Sequence, residues 1–253
     1  MRYNKLIPIL SSLITLFFLE IFFFNPKLVY VSLVILIIIY FFAIRQFVLA
    51  SGRKDGILSY LILPVLFLFG IAIFGILIPS KFFVQMLFFA DFIFVNIYFR
   101  TIYYLLLKPG KYQKNTLENM SSYGNFLAVY FTASGVYGLQ SFLGINVWAL
   151  LAFLLVFITA VIYQVFWANN ILTKSSFFFI IILPLAFLEI AWAISFLSLS
   201  YYISGMLLAV CYYVAIGLIR YYLIGRLDKQ IIKIYLIFGF ISIFSVLLSS
   251  RWI

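Results

Sequence analysis

The chain has 253 residues, 67% hydrophobic and only 9% charged, whereas an ordinary soluble domain carries about 25% charged residues. So few charges cannot cover a soluble surface, and a formal net charge of +11 then reads as topology in short basic connectors rather than as a nucleic-acid footprint. One cysteine, Cys211, excludes an internal disulfide, and the absence of histidine removes the commonest residue of zinc, haem and general-base chemistry.

Nine apolar runs are each about 20 residues long, the length that crosses a hydrocarbon core of about 30 Å. They are predicted over 6–24, 28–47, 56–78, 82–107, 122–143, 147–168, 176–198, 202–224 and 231–250. Many are rich in Ile, Val and Phe, which favour strands in water. Lipid reverses that preference, because every backbone group must be satisfied within its own segment. The expected fold is an all-α polytopic transmembrane bundle, a single domain over 1–253.

Span one follows Met-Arg-Tyr-Asn-Lys, which superficially resembles a secretory signal. Its run is long and Phe-rich with no small-residue cleavage site after it, so it is expected to be retained. Glu20 lies near its outer end and reads as interfacial. In span three, Pro64 frees the carbonyl of Tyr60, four residues back. The patch Gly70 to Gly75 favours close helix contact.

Span four, FFADFIFVNIYFRTIYYLLL, carries Asp91, Asn96 and Arg100. Asp91 and Arg100 are about 180° apart round a helix and about 13 Å apart along it, so they do not pair. Asn96 and Arg100 share a face. An ionised carboxylate at Asp91's depth costs at least a few kcal/mol, so it must pair, hydrate or take up a proton. Arg100 and Pro64 both lie about 12 Å from the cytoplasmic ends of their spans. Arg100 is therefore expected to donate to the freed carbonyls near Tyr60, with snorkelling to the interface as the alternative.

The longest polar stretch, Lys108 to Ser122, separates spans four and five. Ala133 to Gly138 in span five is a second small-residue patch. Gln164, Asn169 and Asn170 read as solvated groups at the end of span six. Span seven holds Pro184 and a second deep carboxylate, Glu189. Span eight holds Tyr212 and Tyr213, which could line a cavity, and Arg220, expected to serve the carbonyls near Ile180 beside Pro184. The tyrosine pairs at 103–104, 201–202 and 221–222 are expected mostly as interfacial anchors.

Of the 17 Lys and Arg, only Lys27, Lys81 and Arg251 fall on the far side of nine alternating spans. Short loops make this a positive-inside signal, placing the N-terminus in the cytoplasm and the C-terminus outside the cell membrane.

Shifting the chain by 120 residues aligns spans one to four with five to eight. Pro64 then meets Pro184, Arg100 meets Arg220, and Lys54 meets Lys174. This suggests a duplication, with parallel halves 1–120 and 121–240 and an added ninth span within 231–253. The carboxylates break the symmetry, since Asp91 meets Cys211 and Glu189 meets Phe69. Such asymmetry near the midplane is where a binding site would lie. The competing reading is a protonated acid bonded to a neighbouring helix.

The prolines in LILPVLF and IILPLAFLEIAWAISF, the run YYVAIGLIRYYLIGRL and the terminal Ser-Ser-Arg-Trp carry a resemblance. The chain is similar to a family of uncharacterised multi-pass membrane proteins of candidate-phyla bacteria with very small genomes. That resemblance implies about nine spans and brings no activity with it.

No phosphate-cradling glycine loop, metal-ligand cluster or nucleophile–base pair can be assembled, so no cofactor or metal is expected. An intramembrane enzyme would depend on Asp91, Glu189, Arg100 or Cys211 alone. The reading is a membrane scaffold or accessory subunit, partnered by the lipid bilayer and by other membrane proteins or copies of itself. The alternative is a small secondary transporter or channel using Asp91 and Glu189, with Asn96, Tyr212 and Tyr213 in the same polar site. Neither reading involves nucleic acid.

Overall fold

The computed structural model describes residues 3–52 and 56–249. Arg2, Arg53, Lys54, Asp55, and Ser250 to Trp252 lie outside these. Among the described residues there are nine α-helices, and no strand is present. They are α1 (Ile7–Phe24), α2 (Val29–Ser51), α3 (Ile57–Leu77), α4 (Lys81–Leu107), α5 (Thr116–Leu143), α6 (Val147–Ala168), α7 (Lys174–Ser195), α8 (Tyr201–Leu223) and α9 (Lys229–Ser249). All nine are long and apolar enough to cross a membrane, so the chain is an all-α, multi-pass membrane protein.

Two helix ends depart from the sequence expectation for local chemical reasons. Helix α2 runs on to Ser51 and stops where Gly52 turns left-handed at φ 67°, a backbone state that glycine enters without a Cβ penalty. Helix α5 starts at Thr116, inside the stretch expected as loop. There the Tyr112 hydroxyl accepts the Leu117 N–H at 3.0 Å and donates to Glu118 at 3.4 Å. One orphan amide of the first turn is thereby satisfied, and Glu118 sits at the favourable end of the helix dipole.

The chain forms two compact units, residues 1–124 and 125–253, divided within α5. In the first, α1 lies antiparallel along α4. Asn96 donates to Ser12 at 3.2 Å and Gln85 donates to Glu20 at 3.0 Å. These two bonds fix the register, and they place Thr15 level with Asp91 and Phe92. The close fit follows from composition, because the buried face of α1 is Pro8, Ser11, Ser12, Thr15, Leu19 and Phe22. Small hydroxyl residues let two backbones approach in a setting where lipid supplies no hydrophobic drive between helices.

In the second unit, α5 and α8 meet at Ser134 and Gly205. A Cβ built on Gly205 would come within 2.5 Å of the Ser134 nitrogen and 2.7 Å of its Cα. The small-residue patch of α5 thus finds a glycine on α8. Helix α9 lies on α8, where Gly217 accommodates the Tyr235 ring and Gly239 meets Val214. Gly239 is the one buried residue of α9.

Candidate functional site

Of the residues expected to form a polar site, Asp91 is the one the fold encloses completely. It has no exposed surface, and neither carboxylate oxygen has a hydrogen-bond partner. Two hydroxyls from other helices accompany it. The Tyr40 hydroxyl of α2 and the Thr15 hydroxyl of α1 are 2.9 Å apart, and Thr15 also donates to the Ser11 carbonyl at 2.8 Å. Asp91 is near enough to Tyr40 for its charge to act on that hydroxyl. The Tyr40 ring is held against Phe99, two turns along α4 from Asp91, with centroids 5.4 Å apart. Tyr40 and Thr15 are themselves wholly buried.

Further toward the N-terminal end, the Ser12–Asn96 bond follows, and then Gln46 donates to Asn4 at 3.1 Å. Beyond Asp91 in the opposite direction the interior is mostly apolar, with Leu19, Phe22, Leu87 and Phe88 buried beside the single hydroxyl of Ser32. The first unit therefore contains a polar seam that ends at a carboxylate in mid-helix.

The other carboxylate is placed differently. Glu189 is exposed on α7, in an exposed stripe with Leu185 and Trp192, so it does not share Asp91's enclosed setting. Six residues separate it from Ser195, the last residue of α7, about 9 Å along the axis. Trp192, one turn nearer that end, has its ring 6.2 Å from that of Trp148. Paired tryptophans of this kind mark a membrane–water interface. Glu189 thus lies one turn from the Trp192–Trp148 pair on the exposed side of α7.

Asn96 is half-buried and engaged with Ser12, as described above. Tyr212 is buried with its ring 6.0 Å from Phe187, and Tyr213 packs among Phe126, Tyr235 and Phe238. Both tyrosines belong to the second unit. Tyr213 does line a surface recess with Tyr221, Ile231, Ile234, Tyr235 and Phe238.

The expected partner of the proline-freed carbonyl is corrected. Pro64 lies within α3, and the Tyr60 carbonyl does accept a side-chain hydrogen bond, but from the Tyr98 hydroxyl at 2.7 Å. Arg100 is instead exposed, with its Nε 3.4 Å from the Tyr104 hydroxyl and its guanidinium over that ring. The reason is helical phase. Tyr98 and Phe99 point into the unit, so Arg100, the next residue round, points outward. A neutral hydroxyl also serves a buried carbonyl without dehydrating a guanidinium. In the second unit, Arg220 lies over the Tyr221 ring, while Pro184 is buried within α7. Converting Tyr98 to Phe should cost about 1–3 kcal/mol by removing the buried hydroxyl that donates to the Tyr60 carbonyl. Heating detergent-solubilised protein and reading the surviving monodisperse fraction measures it.

Two further expectations change. Gln164 is wholly buried, not a solvated helix end, and accepts a hydrogen bond from the equally buried Asn125. Tyr103, expected as an interfacial anchor, is buried against Phe47. Residues that sequence reasoning passed over are Ser11, Ser12, Thr15 and Tyr40. The signal for the first three was a polar stripe at helical spacing in the first half of span one. Among the described residues, no group of three His, Cys, Asp or Glu is placed to hold a metal ion.

Compared with protein-family models, curated proteins and solved structures, the chain matches none.

Proposed function

We propose that this integral membrane protein is a scaffold or accessory subunit that docks another membrane protein along α7. The observation carrying this reading is the exposed carboxylate of Glu189 within an otherwise apolar outer stripe. A charge turned toward lipid below the aromatic belt is costly, and its short side chain cannot cover the distance to the headgroups that a lysine would. A partner helix presenting a basic or amide donor at that depth removes the cost. The same reading places the protein in a cell membrane, N-terminus inside, following the bias of its basic connectors. It also keeps the 120-residue duplication as its architectural origin, supported by Pro64 and Pro184 each lying inside the third helix of its half.

A photo-crosslinker at Leu185, the neighbour of Glu189 on the stripe, tests this in native membranes. A specific membrane-protein adduct is expected that disappears in Glu189→Leu and persists in Glu189→Gln. Adducts with lipid alone would end the docking reading.

The second reading, a small transporter or channel, is favoured by the enclosed carboxyl of Asp91 and uses it without Glu189. Proton flux in liposomes that is unchanged by Asp91→Asn would count against it.

A further inference from the structure

We propose that Asp91 is a proton-binding site that exchanges its proton through the joined hydroxyls of Thr15 and Tyr40. Three independent features of the fold converge on this. First, Asp91 is fully enclosed, and both its oxygens lack any hydrogen-bond partner. A carboxylate in such a setting must acquire a cation, and a proton is the one cation that needs no cage of further ligands.

Second, the polar groups of α1 are asymmetric along its buried face. From Ser11 to Thr15 the face is hydroxyl-bearing, and from Leu19 to Phe22 it is apolar. Close packing alone would accept small residues at either end. On α1 the hydroxyls lie only on the N-terminal side of Asp91, while α2 carries one buried hydroxyl, Ser32, toward the other end. Third, the hydroxyls of Thr15 and Tyr40 are joined to each other, and two separate side-chain hydrogen bonds lie between them and the end of the unit. Thr15 bonds to Tyr40, Ser12 bonds to Asn96, and Gln46 bonds to Asn4 where α1 and α2 begin and end.

The transfer balances simply. Side-chain motion that brings the Thr15–Tyr40 pair within reach lets one hydroxyl give a proton to an Asp91 oxygen and take one back from water, so each hydroxyl ends neutral. The carboxyl passes from negative to neutral with no other bond changed.

The remaining titratable or charged groups on helices packed against α4 do not intervene. Glu20 on α1 is held by Gln85. Tyr30 and Arg45 on α2 are exposed. Tyr60 on α3 belongs with Tyr98, two turns from Asp91 along α4. Tyr40 is the group coupled to Asp91.

Infrared difference spectroscopy of the full chain in liposomes tests the proposal. A protonated-carboxyl band is expected that is lost in Asp91→Asn and returns displaced in Asp91→Glu, which serves should the asparagine variant fail to fold. On transfer to heavy water that band should shift, and the shift should be slower in Tyr40→Phe and in Thr15→Val. A protonated-carboxyl band indifferent to both Asp91 variants overturns the site. Exchange at the wild-type rate in both hydroxyl variants overturns the route and leaves Thr15 and Tyr40 as packing residues only. Neither outcome touches the crosslink at Leu185, so this inference and the docking reading fail separately.

Discussion

Gly205→Ala is expected to lower the stability of the solubilised protein by about 1–3 kcal/mol or more, the range for forcing extra volume into a packed core. The obstacle is backbone. The new methyl would stand 2.5 Å from the Ser134 nitrogen and 2.7 Å from its Cα, so relief requires α5 and α8 to separate along their contact. Gly217→Ala is the instructive contrast, because there the methyl meets the Tyr235 ring, with Cζ 2.6 Å away. A ring on the thinly buried α9 can swing or shift with its helix, so the second substitution should cost less. Gly110, with nothing within 4 Å and no left-handed φ, supplies the neutral control. Thermal inactivation of the three variants, read by size-exclusion chromatography, gives the ranking. A Gly205→Ala protein as stable as the Gly110→Ala control would mean that α5 and α8 do not pack this closely.

The architecture was legible because the membrane imposes one rule on every span. Low charge, run length and the need to close backbone hydrogen bonds together leave only helices, and nine were counted where nine helices lie among the described residues. Helix ends were less legible, since they depend on single side chains such as Tyr112 and on the left-handed turn at Gly52. The candidate site was readable only by depth. Counting along span four locates Asp91 away from both ends, but nothing in a uniformly apolar sequence tells which side of a helix faces protein. Lipid and core are composed alike, so the amphipathic stripe that phases a soluble helix is missing. For that reason the letters offer Arg100 to a carbonyl that Tyr98 takes, one-half turn away. For the same reason they pair Glu189 with Asp91, although one is exposed and the other enclosed. The hydroxyl stripe of α1 was visible in the letters, yet it gained meaning only when the register with α4 brought Thr15 to the level of Asp91.

Replacing Asp91 by valine should raise stability, by about 1–3 kcal/mol, because it removes buried polar atoms that no partner satisfies. Ordinary core substitutions lower stability, so the sign itself is diagnostic. Valine is branched and apolar and close to aspartate in size, which limits both cavity and clash. Asparagine makes the useful comparison. It removes the ionisable group but keeps two polar atoms in the same enclosure, so it should recover less than valine does. The expected order of thermal unfolding is valine above asparagine, with the wild type no higher than asparagine. If valine proved the least stable of the three, the carboxyl would have to be well satisfied in the folded chain, and Asp91 would be a structural strut. If the order holds, the fold tolerates a destabilising acid at the end of its hydroxyl seam. Chemistry at that carboxyl, rather than packing, then explains its presence.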